Sequence, residues 1–234
     1  MKDLLLIFII TIVATSAIAA ERKPIESVDI DEITTDTQVL PKGAGDNHLA
    51  LAWWIPNEFW ESILSRDTTT SEADKKSLLN VMSDYSLLAV VQADISSLGA
   101  FQFYTKKKIE NGMFLSYTGI NGINQKLLPI KEINPDLKVV LGTFKPVLSA
   151  AMGNLGSNMH FYVLNDKLKS SVRLMDPYSK GFINIQLTKQ NDQLMMAKLE
   201  TPLNSLFVPR KCPNGKDAHI SWSYCPWSGK KLKQ

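Results

Sequence analysis

Cysteine and histidine are scarce in this chain, which has two cysteines and three histidines among 234 residues. Two cysteines are too few for a disulfide-dense scaffold. An excess of one charge is also lacking, because 26 Lys and Arg against 23 Asp and Glu leave a net charge of only +3. That bias is too weak to indicate a nucleic-acid partner. With 44% hydrophobic and 21% charged residues, the composition excludes a mostly disordered, collagen-like or multi-span membrane protein.

Signatures of catalysis are missing as well. The sequence contains no Gly-x-Ser-x-Gly elbow, His-Glu-x-x-His pair, phosphate-binding loop or dinucleotide fingerprint. The cysteines do not have the Cys-x-x-Cys spacing of an oxidoreductase. His48, His160 and His219 lie on three separate segments, and a hydrogen-bonded strand residue is the default interpretation of His160. The sequence therefore identifies no catalytic residue, and it predicts no cofactor and no metal site.

The main apolar run lies at the N-terminus. Residues 1–19 combine Lys2, an apolar stretch and the small-residue site Ala17-Ile18-Ala19, which predicts a signal peptide cleaved after Ala19. An uncleaved anchor is the alternative, since residues 4–20 reach the lower length limit of a membrane span. Cleavage would place the mature protein in the periplasm or outside the cell.

Residues 20–48 are polar and acidic, with seven acids and three bases over 21–48. Few of these residues are large and apolar, so we expect a flexible acidic leader. It precedes a domain over residues 49–207, in which apolar runs and alternating patterns predict the secondary structure. Strands are predicted at 49–55, 87–94, 101–110, 113–118, 137–144, 159–164, 181–187 and 193–199, and helices after Pro56 and at 71–85 and 146–152.

The order of these elements predicts the fold class. The strands mostly follow one another without crossover helices, and Asn111-Gly112 is a strong hairpin signal between two of them. This order favours an α+β fold, with a mainly antiparallel sheet and two or three helices on one face. The glycine-bearing segment 153–156 is expected to be a loop.

Residues 53–61 form the most unusual stretch, with three tryptophans around two carboxylates. Aromatic rings beside acids can hold a sugar and protonate a glycosidic oxygen, which makes Trp53, Trp54, Glu58 and Trp60 a candidate ligand wall. The favoured alternative is that the rings are core and that Glu58 and Glu61 complement a helix dipole. The stretch resembles secreted bacterial proteins, and this likeness implies no activity and no site residue.

The C-terminal segment, residues 208–234, contains Cys212-Pro213-Asn214-Gly215 and Cys225-Pro226-Trp227-Ser228-Gly229, followed by two lysines and a leucine. These motifs resemble a zinc ribbon that has lost two of its four cysteines. A ribbon brings its two knuckles together, so in an oxidising compartment the resemblance implies a disulfide between Cys212 and Cys225. A zinc site with His219 as a third ligand, and free or intermolecular thiols, are the alternatives.

The same segment combines six basic residues with one acid. Cations beside tryptophan and tyrosine suit an anionic, partly apolar surface such as lipid headgroups. The alternatives are that the aromatics pack inside the hairpin, or that the acidic leader lies against the segment. The candidate surface-binding residues are Lys211, Trp222, Tyr224, Trp227, Lys230 and Lys231.

Two hypotheses for function follow. The first is an exported, non-catalytic protein that binds a macromolecular partner or a component of the cell envelope, with weak contact to an anionic membrane surface and no nucleic-acid partner. The second is a periplasmic hydrolase of envelope sugars or peptides that uses Glu58 or Glu61 with His160. Convergence of these groups in one pocket would favour the second hypothesis.

Overall fold

The structure is a computed structural model that describes residues 20–43, 45, 47–167 and 173–232. The predicted signal peptide and its cleavage site, residues 1–19, lie outside the described residues. Helices accompany two antiparallel sheets and a small two-stranded ribbon near the C-terminus. This arrangement confirms the predicted α+β class, with the difference that the strands are divided between two sheets.

The elements are as follows. The α-helices of the described residues are α1 (Ile30–Thr37), α2 (Asn57–Arg66), α3 (Glu72–Met82), α4 (Lys106–Gly112), α5 (Pro135–Met152) and α6 (Asn154–Ser157). The strands are β1 (Gln38–Val39), β2 (His48–Ile55), β3 (Tyr85–Ile95), β4 (Phe101–Phe103), β5 (Phe114–Thr118), β6 (Asn124–Leu127), β7 (His160–Asn165), β8 (Gly181–Thr188), β9 (Leu194–Thr201), β10 (Arg210–Lys211) and β11 (Asp217–Ala218). Short 3-10 turns cover Ile25–Ser27 and Asn204–Leu206.

The first sheet is built around β3. Strand β3 pairs antiparallel with β2 on one side, and with β7 and β4 along the other. The register of β2 and β3 runs from His48 opposite Asp94 to Ile55 opposite Leu87. Nearly every residue of β2 and β3 is buried, so both faces of this sheet are covered.

The second sheet has the order β6-β5-β8-β9. Buried and less buried residues alternate along β8 and β9, as the sequence predicts for strands with one buried face. Gln92 of β3 donates from Nε2 to the Thr188 carbonyl at 3.0 Å, which ties the two sheets together. Residues from both sheets contribute to one hydrophobic core.

The predicted hairpin at Asn111-Gly112 is wrong, because these residues end helix α4. The Thr105 hydroxyl accepts a hydrogen bond from the Lys108 backbone N–H and starts the helix, and Ile109 is buried against the core. An Asn-Gly pair suits a helix end as well as a hairpin turn. Burial of Ile109 on the inner face of α4 favours the helix end over the hairpin turn.

The predicted strand at 137–144 is also wrong, because it lies inside helix α5. Asn134 caps this helix by accepting from the Asp136 N–H at 2.8 Å, and Pro135 occupies its first turn, where proline loses no helical hydrogen bond. Pro146 therefore lies in the helix interior instead of at a start. The segment 153–156 is likewise not a simple loop, since it contains most of the one-turn helix α6.

The predicted flexible leader is incorrect for residues 25–39. Asp29 caps α1 by accepting from the backbone of Asp31 and Glu32, and Val28 and Ile33 are fully buried. Strand β1 then pairs with β2. The buried side chains, the Asp29 cap and the pairing of β1 anchor this segment, although its charge content indicated a solvated one.

Candidate functional site

The tryptophans of the predicted ligand wall belong to the core. Trp53, Trp54 and Trp60 are at most 6% exposed. The Trp60 ring centroid lies 4.5 Å from that of Phe144 on α5, and Trp53 contacts Phe144 at 6.4 Å. Helix α5 therefore covers the rings of Trp53 and Trp60, and Trp54 is fully buried. The three rings belong to the core, as the favoured alternative predicted, and do not form an open wall.

Glu58 takes part in a buried ionic cluster that the sequence did not predict. Its Oε1 accepts from Arg173 Nη1 at 2.6 Å, and Arg173 Nε donates to Asp166 Oδ2 at 3.0 Å. The Ser86 hydroxyl and the Met175 backbone N–H also donate to Asp166, each at 2.6 Å. Within the described residues, Glu58 Oε2 and Arg173 Nη2 have no hydrogen-bond partner.

Electrostatics in this cluster follow from burial. Burial raises the pKa of Asp166, while the Arg173 charge and the hydrogen bonds to the carboxylate oppose that rise. Burial lowers the pKa of Arg173, but Glu58 and Asp166 outweigh it and hold the pKa above the usual range. Burial and the nearby Glu58 raise the pKa of Glu61. In this cluster the guanidinium of Arg173 bridges the carboxylates of Glu58 and Asp166.

The groups required by the hydrolase hypothesis are not brought together. His160 begins β7, and its Nε2 lies 3.1 Å from the Tyr104 carbonyl. Glu58 is held through Arg173 at Asp166, just beyond the other end of β7. The extended chain advances six positions from His160 to Asp166, a span of about 20 Å. Among the described residues Glu58 and His160 therefore lie far apart, and Glu61 lines a cavity whose described walls do not include His160.

A second polar cluster, also not predicted, lies where β2 begins and β3 ends. His48 Nδ1 is 2.7 Å from Asp94 Oδ1, and the Tyr104 hydroxyl donates to the same carboxylate at 3.1 Å. Burial raises the pKa of Tyr104 to about 12. One feature of the sequence could have predicted the contact between His48 and Asp94. Antiparallel pairing of the two long apolar strands 49–55 and 87–94 places their polar ends together.

The C-terminal module, residues 208–232, has a small core of its own. Cys212 and Cys225 form a disulfide with Cα atoms 5.6 Å apart, which confirms the predicted pairing and removes the zinc and free-thiol alternatives. Ala218 and Leu232 pack with the disulfide, separately from the main core. Arg210 Nη2 donates to three carbonyl oxygens of the module, those of His219, Ile220 and Trp222.

The outer face of the module carries the predicted surface-binding aromatics. Trp222, Tyr224 and Trp227 are 39%, 59% and 50% exposed. The rings of Trp222 and Trp227 are in contact at 6.1 Å, and Lys216 Nζ lies 5.0 Å from the Trp227 ring. These aromatics do not pack inside the hairpin, so the corresponding alternative is wrong.

Basic groups surround these rings. Lys230 and Lys231 are exposed, whereas Lys211 forms an ion pair with Asp217, the one acid of residues 208–234. For the alternative in which the acidic leader covers the module, the described residues show a backbone hydrogen bond from Val208 N–H to the Glu21 carbonyl but no ion pair between the two segments, and Lys23 pairs with Glu32 within the leader itself. The module therefore presents a cationic and aromatic face to solvent.

The remaining chemistry of the chain is limited. Among the described residues, no group of three or more His, Cys, Asp or Glu side chains is placed to hold a metal ion, and no helix has the length and apolarity to cross a bilayer. The disulfide suggests an oxidising compartment outside the cytoplasm. The chain matches no protein-family model, no curated protein and no solved structure.

Proposed function

We propose that this chain is an exported, non-catalytic protein that binds an anionic component of the cell envelope through its C-terminal module. The exposed aromatic cluster of Trp222, Tyr224 and Trp227 carries the proposal. Soluble domains usually bury such rings, and an exposed group of them marks a contact surface. A second candidate function is not favoured, because Glu58 and His160 do not share a pocket.

The chemistry of the module supports an anionic, partly apolar target. Indole and phenol rings are most stable where one edge is apolar and the other is wet, as at the headgroup level of a bilayer. Lysines near a membrane surface each contribute about 1 kcal/mol of attraction to anionic lipids. Lys216, Lys230 and Lys231 supply that charge beside the rings, and the disulfide fixes the module that presents them.

Export is part of the proposal. Residues 1–19 have the pattern of a signal peptide with cleavage after Ala19, and the disulfide is of the kind that persists in the periplasm or outside the cell. N-terminal sequencing of protein from the periplasmic fraction should find a chain that begins at Ala20. Recovery of the full-length chain from the membrane pellet would contradict this part.

Vesicle sedimentation tests the binding surface. We expect the mature protein to sediment with vesicles that contain phosphatidylglycerol at low salt, and to remain in the supernatant with purely zwitterionic vesicles. Raising the salt should weaken binding, since exposed charges are screened beyond about 8 Å at physiological ionic strength. A Tyr224→Ser/Trp227→Ser variant should lose most of the binding at low salt.

The control for this variant is Phe101→Ser, which removes an aromatic ring that is 46% exposed outside the module. It should bind as the unmodified protein does. Equal sedimentation of both variants would show that the C-terminal module is a structural closure and not a binding surface.

A further inference from the structure

A groove of about 710 Å³ lies between α5 and the start of β7, remote from the C-terminal module. Its apolar walls come from both elements and from the chain before α5, namely Ile133, Leu141, Met159 and Phe161. Helix α5 buries only part of its apolar surface, and Val139 and Val147 are 67% and 59% exposed. The helix contributes Leu141, Gly142, Lys145, Pro146 and Ser149 to one wall of the groove.

A second cavity of about 750 Å³ lies beside this groove. The two cavities share Lys106 and Ile133, and the walls of the second are again apolar, with Met113, Phe114 and Leu127 among them. Phe114 is 42% exposed and the neighbouring Leu128 is 65% exposed. Each cavity has the volume of a small-molecule site, and we refer to the two adjacent cavities as the slot.

Positive charge lines this slot. Lys106 and Lys145 lie on the first cavity, and Lys126 and Lys131 lie on the second. Among the described residues that line the two cavities, Glu110 is the one acid, and it stands 3.9 Å from Lys106. The pKa of His160, on the same wall, is lowered first by burial and also by the charges of Lys145 and Lys106. The slot therefore suits an apolar chain with an anionic head.

We propose that this slot binds a fatty acid, with its carboxylate at Lys106 and Lys145 and its acyl chain along the apolar walls. A free phosphate would leave these walls unused, because it covers no apolar surface. A carboxylate meets the two lysines with charge-assisted hydrogen bonds. This site is separate from the membrane contact proposed above. Phe114, at one end of β5, lines the slot, whereas Thr118, at the other end, lines a cavity together with residues of the C-terminal module.

Calorimetric titration of the mature protein with laurate, kept below its micelle concentration, tests the site. We expect saturable binding, and we expect the Lys106→Gln/Lys145→Gln variant to bind about tenfold more weakly. The matched control is Lys107→Gln/Lys138→Gln, which removes the same charge from exposed positions on the same two helices and should change the affinity less than about twofold. Equal affinity in the two variants, or no saturable binding to the unmodified protein, would overturn the proposal.

Gly142 permits a second test that does not weaken the fold. It lies on the wall of the groove, and a Cβ built on it meets no atom within 4 Å. Glycine is unfavourable in a helix interior, so Gly142→Leu should fold at least as well while its side chain fills the groove. Laurate binding should fall at least tenfold in Gly142→Leu and change little in Gly142→Ala. Unchanged binding in Gly142→Leu would show that the acyl chain lies elsewhere.

Two further measurements identify the occupant. Dodecanol, which has the same chain without a charge, should bind more weakly than laurate and should not distinguish the two lysine double variants. Sedimentation velocity of the unmodified protein should show the same mass with and without laurate. A dimer that Gly142→Leu dissociates and laurate does not would mean that a second copy of the chain covers the slot, and would overturn the proposal. Failure of the unmodified protein to bind anionic vesicles, with laurate binding retained, would contradict only the membrane contact.

Discussion

His48 and Asp94 close the long antiparallel pair of β2 and β3, with His48 Nδ1 2.7 Å from Asp94 Oδ1. The His48 side chain is fully buried, and its Nε2 has no partner among the described residues. Burial lowers the pKa of His48, although Asp94 partly opposes this effect. The folded state therefore favours the neutral imidazole.

This preference predicts that acid weakens the fold. His48 and His160 both have lowered pKa values in the folded protein. As the pH falls below about 6.5, the unfolded chain takes up these protons before the folded one does, so the free energy of unfolding should decrease. Above about pH 7 both states hold neutral imidazoles, and this contribution is fully present. Urea unfolding at pH values on either side of about 6.5 measures the effect.

Removal of one histidine should reduce the pH dependence. His160→Asn deletes one of the two groups, so this variant should lose less stability on acidification than the unmodified protein. His219→Asn, in the C-terminal module, is the comparison. An identical acid response in His160→Asn and the unmodified protein would show that His160 does not contribute.

Replacement of Arg173 should strongly lower the free energy of unfolding. It bridges Glu58 and Asp166, whose side chains are 7% and 1% exposed. Arg173→Met leaves both carboxylates without their counter-charge, and breaking a buried pair typically costs about 3–5 kcal/mol. Urea or thermal unfolding measures this loss. Adding Glu58→Gln and Asp166→Asn to the variant should restore part of it, because neutral amides need no counter-charge.

The matched control is an exposed ion pair. Lys167 and Asp84 lie 2.7 Å apart, and each side chain is 46% exposed. Lys167→Met should cost less than about 1 kcal/mol, since solvent screens such pairs. A loss as small as this in Arg173→Met would contradict the role assigned to the buried cluster.

Alanine substitutions at Gly181 and Gly142 should have opposite effects on the stability of the protein. A Cβ on Gly181 would lie 2.8 Å from Tyr117 Cζ and 3.0 Å from the Thr118 carbonyl oxygen, and Tyr117 is buried. Gly181→Ala should therefore destabilise the protein by about 1–3 kcal/mol through overpacking. Gly142→Ala, in open space on α5, should stabilise it by up to about 1 kcal/mol. Paired denaturation curves test both signs.

The disulfide should stabilise the C-terminal module more than the whole protein. Cys212 and Cys225 are separated by 13 positions, and a loop of that length contributes about 3 kcal/mol by constraining the unfolded chain. The module packs around its own small core. In Cys212→Ser/Cys225→Ser, amide hydrogen exchange should accelerate at residues 210–225 by a larger factor than in β3 and β8. Equal acceleration in all three segments would mean that the module is integral to the main core.

Local patterns in the sequence were sufficient for much of the fold. The alternation in 181–187 predicted β8, and the apolar runs predicted β2, β3 and β7. Ser71, the first residue of the helix predicted over 71–85, starts α3 by accepting from the Asp74 N–H. These features rest on neighbours a few residues apart, so a single sequence contains them. The resemblance of the C-terminal motifs to a ribbon likewise predicted the disulfide.

Three features of the structure depended on tertiary packing: helix α5, the Arg173 cluster and the lysine-lined slot. Residues 137–144 have strand-like composition but belong to α5, whose Phe144 side chain covers Trp53 and Trp60. The Asn134 cap and Pro135 are a local helix signal, and it is the packing of the helix on the core that gives this signal precedence over the apolar composition. Arg173 meets Glu58 across 115 positions of sequence, and no local pattern specifies such a partner. The lysine-lined slot combines residues from α4, α5, β5 and β7 in the same way. Contacts between distant segments depend on how the sheets and helices pack, and packing is a property of the folded chain rather than of any stretch of it.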